Sequence, residues 1–172
     1  MKKRVISILA IAALLVASIA IPCVAEDTHN LPASVEVSEY ISITITDNGT
    51  SGINFGKVNP GTNDNPDINS IAGSGNSTIR ITVEPGSNAN VDIQISGTDF
   101  IADDFTIDKA KYSTTIDGAK IPMTDADTLI VGADNLTPGE YVDLWHWLDV
   151  PASIPAGTYG STFTYKAVAH TP

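Results

Sequence analysis

The sequence predicts an all-β protein, a single antiparallel β-sandwich of jelly-roll or Greek-key type following an N-terminal signal helix. Three observations carry this. Beyond residue 25 the chain holds 16 Ile, 9 Val and 18 Thr but only 5 Leu, and stiff β-branched side chains suit a pleated surface better than a helix. Apolar residues recur at period two, never in a sustained i, i+3, i+4 pattern. Pro-Gly and Asn-Gly pairs interrupt these runs at short intervals. Clean alternation belongs in antiparallel sheets with one wet face, and two such sheets bury their dry faces against each other. A closed barrel is the other architecture that fits the pattern.

The chain opens with Lys2, Lys3 and Arg4, followed by an apolar run over residues 5–21, Pro22, and Cys23-Val24-Ala25. A basic start, an apolar stretch and small residues three and one before a cut describe a secretory signal. The predicted organisation is a signal peptide over 1–25, a flexible segment over 26–33 and a β-sandwich domain over 34–172. Two alternatives share the same residues. The run of 17 is at the low edge of a membrane span, and Cys23 could carry a lipid, although Pro22 occupies the place where a lipobox has a small residue.

Charge and cysteine narrow the function classes. The formal net charge is −11; without residues 1–25, six bases face the same 20 acids, a net of −14. Nucleic acid and anionic lipid need clusters of Lys and Arg, so neither is an expected partner, and no membrane contact is expected after signal cleavage. The only cysteine is Cys23, so a mature domain has no disulfide and no thiolate metal site.

Val35, Val37, Ile41, Ile43 and Ile45 share one parity and predict the first strand. Asp47-Asn48-Gly49-Thr50-Ser51-Gly52 is a turn cluster. Residues 53–58 predict a short strand closed by Asn59-Pro60-Gly61, and 61–77, rich in Gly, Asn, Ser and Asp, predict a loop. Alternation returns over 78–83 and, after Pro85-Gly86, over 91–96. Residues 97–104 predict a turn. Weaker strands are expected at 105–107, 111–115 and 128–131. Pro138-Gly139 precedes the most aromatic strand, 141–150; 151–157 is a connection and 158–169 the last strand.

Three phrases resemble secreted archaeal and bacterial surface domains: Ile53-Asn-Phe-Gly-Lys-Val-Asn-Pro-Gly-Thr62, Asn90-Val-Asp-Ile-Gln-Ile-Ser-Gly-Thr-Asp-Phe100, and Leu148-Asp-Val-Pro-Ala-Ser-Ile-Pro-Ala-Gly-Thr-Tyr159 with Phe163-Thr-Tyr165. The pattern is similar to that of TasA/camelysin-type fibre subunits and archaeal bundling-pilus subunits, and more loosely to WxL-type domains, whose second Trp-x-Leu element is absent here. The resemblance implies a jelly-roll-like sandwich, an extracellular structural role and assembly by strand addition. It carries no catalytic residue.

No nucleophile elbow, His-Glu-x-x-His pair or phosphate-cradling loop occurs, so no enzyme is expected. His29 and His170 lie in polar terminal stretches. His146 sits in the aromatic strand, with Asp143 and Asp149 on the opposite face.

Four features remain as candidate sites. Asn63, Asp64, Asn65 and Asp67 crowd oxygens into one loop, and Asp99, Asp103, Asp104 and Asp108 form a second acidic cluster, with Asp125 and Asp127 a third. Oxygen ligands of this kind suit Ca²⁺; a solvated acidic surface is the competing reading. Tyr141, Trp145 and Trp147 share one parity and could stack on a polysaccharide, unless they are buried. Val35 and Val37 could add as a strand to a neighbouring copy or another surface protein, or simply begin the domain's own first strand. Asn48, Asn76 and Asn135 head Asn-x-Ser/Thr sequons in or beside expected loops. The function expected is an exported structural or adhesive protein of the cell surface or extracellular space, such as a filament or biofilm-matrix subunit. The alternative is a carbohydrate- or surface-binding module.

Overall fold

A computed structural model describes residues 34–47, 52–68 and 79–171. The chain divides into two compact units, Met1–Val37 and Ser38–Pro172. The proposed signal peptide and residues 26–33 lie outside the described residues, and 34–37 are exposed and belong to no strand.

Among the described residues of the second unit there is no helix. Its strands are β1 (Ile43–Asp47), β2 (Thr62–Pro66), β3 (Ile79–Val83), β4 (Val91–Gly97), β5 (Phe100–Ala102), β6 (Phe105–Ile107), β7 (Lys111–Ser113), β8 (Ile121–Pro122), β9 (Thr128–Leu129), β10 (Tyr141–Val150) and β11 (Phe163–Ala169). The larger sheet runs β1-β3-β10-β7-β8, with β2 also on β10; the smaller is β11-β4-β9; β5 and β6 form a hairpin. Every pairing is antiparallel.

The alternation in sequence becomes the alternation in burial. Ile79, Ile81 and Val83 of β3 and Val91, Ile93 and Ile95 of β4 are buried, whereas Arg80 is exposed. Val142, Leu144, Leu148 and Val150 of β10 join the same buried cluster. One core thus draws from both sheets. Removing each of these aliphatic side chains from water contributes about 1.5–3 kcal/mol.

β10 organises the larger sheet. Tyr141 to Leu144 pair with β3. Trp145 to Trp147 pair with β7, while Trp147, Leu148 and Val150 pair with β2. Trp147 therefore has a neighbour on each edge. On the outer face of the first half, Arg80 and Asp143 are register partners and form a two-pronged ion pair, both N–O distances 2.8 Å.

Several segments depart from the expectation. Residues 53–58 form no strand, although Ile53, Phe55 and Val58 pack against the core. The Asn54 N–H donates to the Asp67 carboxylate, and the Ile68 N–H donates to the Asn54 carbonyl at 2.8 Å. Gly56 closes this loop at φ 65°, where a Cβ would meet Ile68 at 2.9 Å. The strand lies instead in the expected loop, at β2. Its residues Thr-Asn-Asp-Asn-Pro have poor strand propensity, and tertiary bonds replace it: Asn65 Nδ2 donates to the Leu148 carbonyl at 2.8 Å and the Asp64 N–H to Asp149 at 2.7 Å.

The first strand begins at Ile43, not near Val35, and the last begins at Phe163, after a single bridge between Gly160 and Ile101. β5 occupies part of the expected 97–104 turn, and β8 falls where no strand was expected.

Candidate functional site

A polar cluster lies inside the core. His146, from β10, and Asp67, just after β2, are fully buried. The Asp67 N–H donates to the His146 carbonyl at 3.0 Å, extending the β2–β10 ladder by one residue. From the smaller sheet, the Tyr165 hydroxyl lies 3.1 Å from His146 Nε2, and Phe163 stacks on the imidazole with centroids 5.7 Å apart. Burial pushes the His146 pKa down to about 3, so the ring is neutral at physiological pH. Burial, and then the charge of Asp67, holds the Tyr165 phenol far above its usual range. Nδ1 of His146 has no hydrogen-bond partner among the described residues.

Tyr165 and Phe163 also line an open groove of about 470 Å³, with Ile45, Ile53, Phe55 and Phe100. Its polar groups are engaged within the domain. Besides the Tyr165 phenol, Ser161 Oγ donates to the Thr98 carbonyl at 2.6 Å, and Gly160 pairs with Ile101 in both directions. The described lining thus combines aromatic and aliphatic side chains with polar backbone and hydroxyl groups of Gly52, Tyr159, Gly160 and Ser161.

No family model, no curated protein and no solved structure matches this chain.

The acidic candidates are distributed rather than gathered. Asp64, in a left-handed conformation (φ 54°), accepts Lys111 at 3.1 Å and Lys120 at 3.0 Å, which lowers its pKa. Lys111 also reaches Asp149. Asp67 is spent inside the core, and Asn65 donates its amide to two backbone carbonyls. Asn63 is exposed. Asp99 and Asp125 share Lys109, at 2.8 and 3.2 Å. Asp127 pairs with Lys166 at 3.1 Å. Asp103, Asp104 and Asp108 are exposed. Among the described residues no three His, Cys, Asp or Glu side chains come together in a group able to hold a metal.

The aromatic strand does not present three rings to solvent. Trp145 and Trp147 are 9% and 6% exposed, Tyr141 52%. The Lys120 ammonium lies over Trp147, and the Arg80 guanidinium covers one face of Tyr141 at 3.8 Å from its centroid. Every residue from Leu144 to Leu148 is buried, so both faces of β10 are covered there and alternation stops predicting a wet face.

The N-terminal candidates are the most exposed large apolar residues of the domain's entry segment. Val35 is 86% exposed and Val37 74%. The chain is first tied down at Ser38, whose carbonyl accepts Asn88 Nδ2 at 3.0 Å, and then at Tyr40, whose N–H donates to Asn88 Oδ1 at 2.7 Å. β11 pairs with β4 over seven residues; among the described residues no strand covers its other edge.

Asn135 is exposed. Asn48 and Asn76 lie outside the described residues, as does His29. His170 pairs with Asp92 at 2.8 Å.

The feature that sequence reasoning missed is the polar cluster around His146. Its partners come from Asp67, read as a calcium ligand, and from Tyr165 on the other sheet. No local spacing signals either contact.

Proposed function

We propose that this chain is an exported structural or adhesive protein of the cell surface or extracellular space, and that copies of it associate by strand addition through residues 34–40. The second unit is best described as one β-sandwich with jelly-roll or Greek-key connections. The observation that carries the reading is the exposure of Val35 and Val37 on a segment in no strand. Two alternating apolar side chains left in water before a well-packed domain fit a strand that completes its pairing on another molecule. The edge of β11, seven residues long and covered by no strand among the described residues, is an acceptor of matching chemistry, since an open edge offers a row of backbone donors and acceptors. The signal-like residues 1–25 support export. Burial of the two tryptophans removes most of the surface that a sugar-stacking module would need.

Negative-stain microscopy of the chain from residue 26 tests the proposal. Filaments or ordered oligomers are expected, and their loss on deletion of 26–37. A chain that stays monomeric at high concentration, with the deletion changing nothing, overturns it.

A further inference from the structure

We propose that Asn135 is an N-glycosylation site, accepting a glycan on its side-chain amide. The reading goes beyond self-association and does not depend on it.

Asn135 begins Asn135-Leu136-Thr137, a sequon whose middle residue is not proline. It sits at the tip of a turn with φ 55°, a left-handed conformation that Asn tolerates better than other side-chain-bearing residues. The turn is held from below. The Asn135 N–H donates to Asp92 Oδ1 at 2.8 Å. Leu136 is buried and exchanges both backbone hydrogen bonds with Val91, each at 2.8 Å.

The side chain is also oriented. Asn90 Nδ2 donates to Asn135 Oδ1 at 2.8 Å, so the carbonyl end of the amide is engaged on the domain. The amine end, Nδ2, is the atom that would bond the sugar. Thr137 is exposed, and its N–H donates to Glu140 at 2.7 Å in solvent.

The donor required is a glycan linked through C1 to a polyprenyl phosphate or pyrophosphate, used by a membrane transferase outside the cytoplasm. Nδ2 attacks C1 and the new C1–N bond forms as the C1–O bond to phosphate breaks. The polyprenyl phosphate or pyrophosphate, according to the donor, leaves with the electron pair, and the amide proton passes to a base on the transferase. No oxidant or reductant is involved.

The position has a consequence for association. Residues 128–136 run along one edge of β4, through β9, the Ile130–Ile93 and Ile93–Ala133 bonds and the Val91–Leu136 bridge. A glycan there shields the outer edge of this segment from strand addition. β11 lies on the other side of β4, and His170, directly after it, meets the same Asp92 Oδ1 as the Asn135 N–H, at 2.8 Å.

The test is intact-mass and peptide mass spectrometry of the full chain exported by a host that has an N-oligosaccharyltransferase. The expected result is a glycan on the peptide spanning Asn135. The Asn135→Gln and Thr137→Ala variants each lose one glycan mass, and Thr137→Ser, which keeps the hydroxyl, retains it. Recovery of the exported chain with the Asn135 peptide unmodified overturns the proposal, whether or not Asn48 or Asn76 is modified. A glycan mass that survives in Asn135→Gln with no change in occupancy also overturns it.

Discussion

The phenol of Tyr165 on β11 meets Nε2 of His146 on β10 at 3.1 Å, a polar contact between the two sheets at the side of a largely aliphatic and aromatic core. His146 is fully buried, and Tyr165 is half-buried beside the groove. Buried polar pairs of this kind raise the cost of separating the layers, because each partner left alone keeps its desolvation penalty. Tyr165→Phe should therefore destabilise the domain by about 1–3 kcal/mol. Urea unfolding at neutral pH checks it, and an unchanged midpoint would mean that the bond contributes nothing.

The same histidine sets an acid dependence. Its folded pKa is about 3 against an ordinary 6.5, so the unfolded chain binds the proton more readily. The stabilising contribution is complete above pH 6.5 and is lost as pH falls towards 3. Between pH 6.5 and 4.5 the loss should approach about 2–3 kcal/mol, at 1.36 kcal/mol per unit. The carboxylates with lowered pKa values, Asp64, Asp92, Asp127 and Glu140, act in a more acidic window, as their ordinary values are 3.8 and 4.5. Unfolding curves from pH 7 to 4.5 should slope with pH in the wild type and flatten in His146→Phe. A flat wild-type profile would contradict the burial.

Asp67 holds the loop that takes the place of the expected strand. Its carboxylate accepts the Asn54 N–H, and its own N–H continues the β2–β10 ladder. Asp67→Ala should cost about 1–3 kcal/mol by removing the bond from the Asn54 N–H to a buried carboxylate, which anchors this loop. Differential scanning calorimetry would read this as a melting temperature several degrees lower; a variant melting with the wild type would contradict it.

Calcium should act on this protein only as any divalent ion would. Asp64, Asp99, Asp125, Asp127 and Asp149 already face lysines. Melting temperatures of the chain from residue 26 in Ca²⁺ and Mg²⁺ at equal ionic strength should agree, since screening of its net charge of −14 is not ion-specific. A rise specific to Ca²⁺ and reversed by EDTA would show that the acidic loops do collect the ion.

Tryptophan fluorescence should be blue-shifted and resistant to acrylamide, because Trp145 and Trp147 are both buried. Polysaccharides should leave it unchanged. Saturable quenching by a polysaccharide would restore the stacking reading.

The parts of the fold legible in the sequence are those where one strand face is wet. Ile79, Ile81 and Val83 alternate with Arg80 and Thr82, and β3 follows that pattern, with the three aliphatic residues buried and Arg80 exposed. β2 was illegible because Thr62, Asn63, Asp64, Asn65 and Pro66 hold no apolar residue; their pairing is dictated by β10, more than 80 residues away. The face of Trp145 and Trp147 was misleading because both rings are buried, with the Lys120 ammonium over Trp147, and no local spacing signals that cover. The sequons could be read, as could the alternation of Val35 and Val37. What the sequence left open was whether Val35 and Val37 begin β1, and the first strand starts at Ile43.

The central claim is that Val35 and Val37 join one copy of the chain to another. Sedimentation velocity of the chain from residue 26, beside its Val35→Ser/Val37→Ser variant, tests it most directly over a range of concentrations. The account predicts concentration-dependent larger species for the wild type and a monomer for the variant, with equal melting temperatures. Identical sedimentation of the two at every concentration would contradict it.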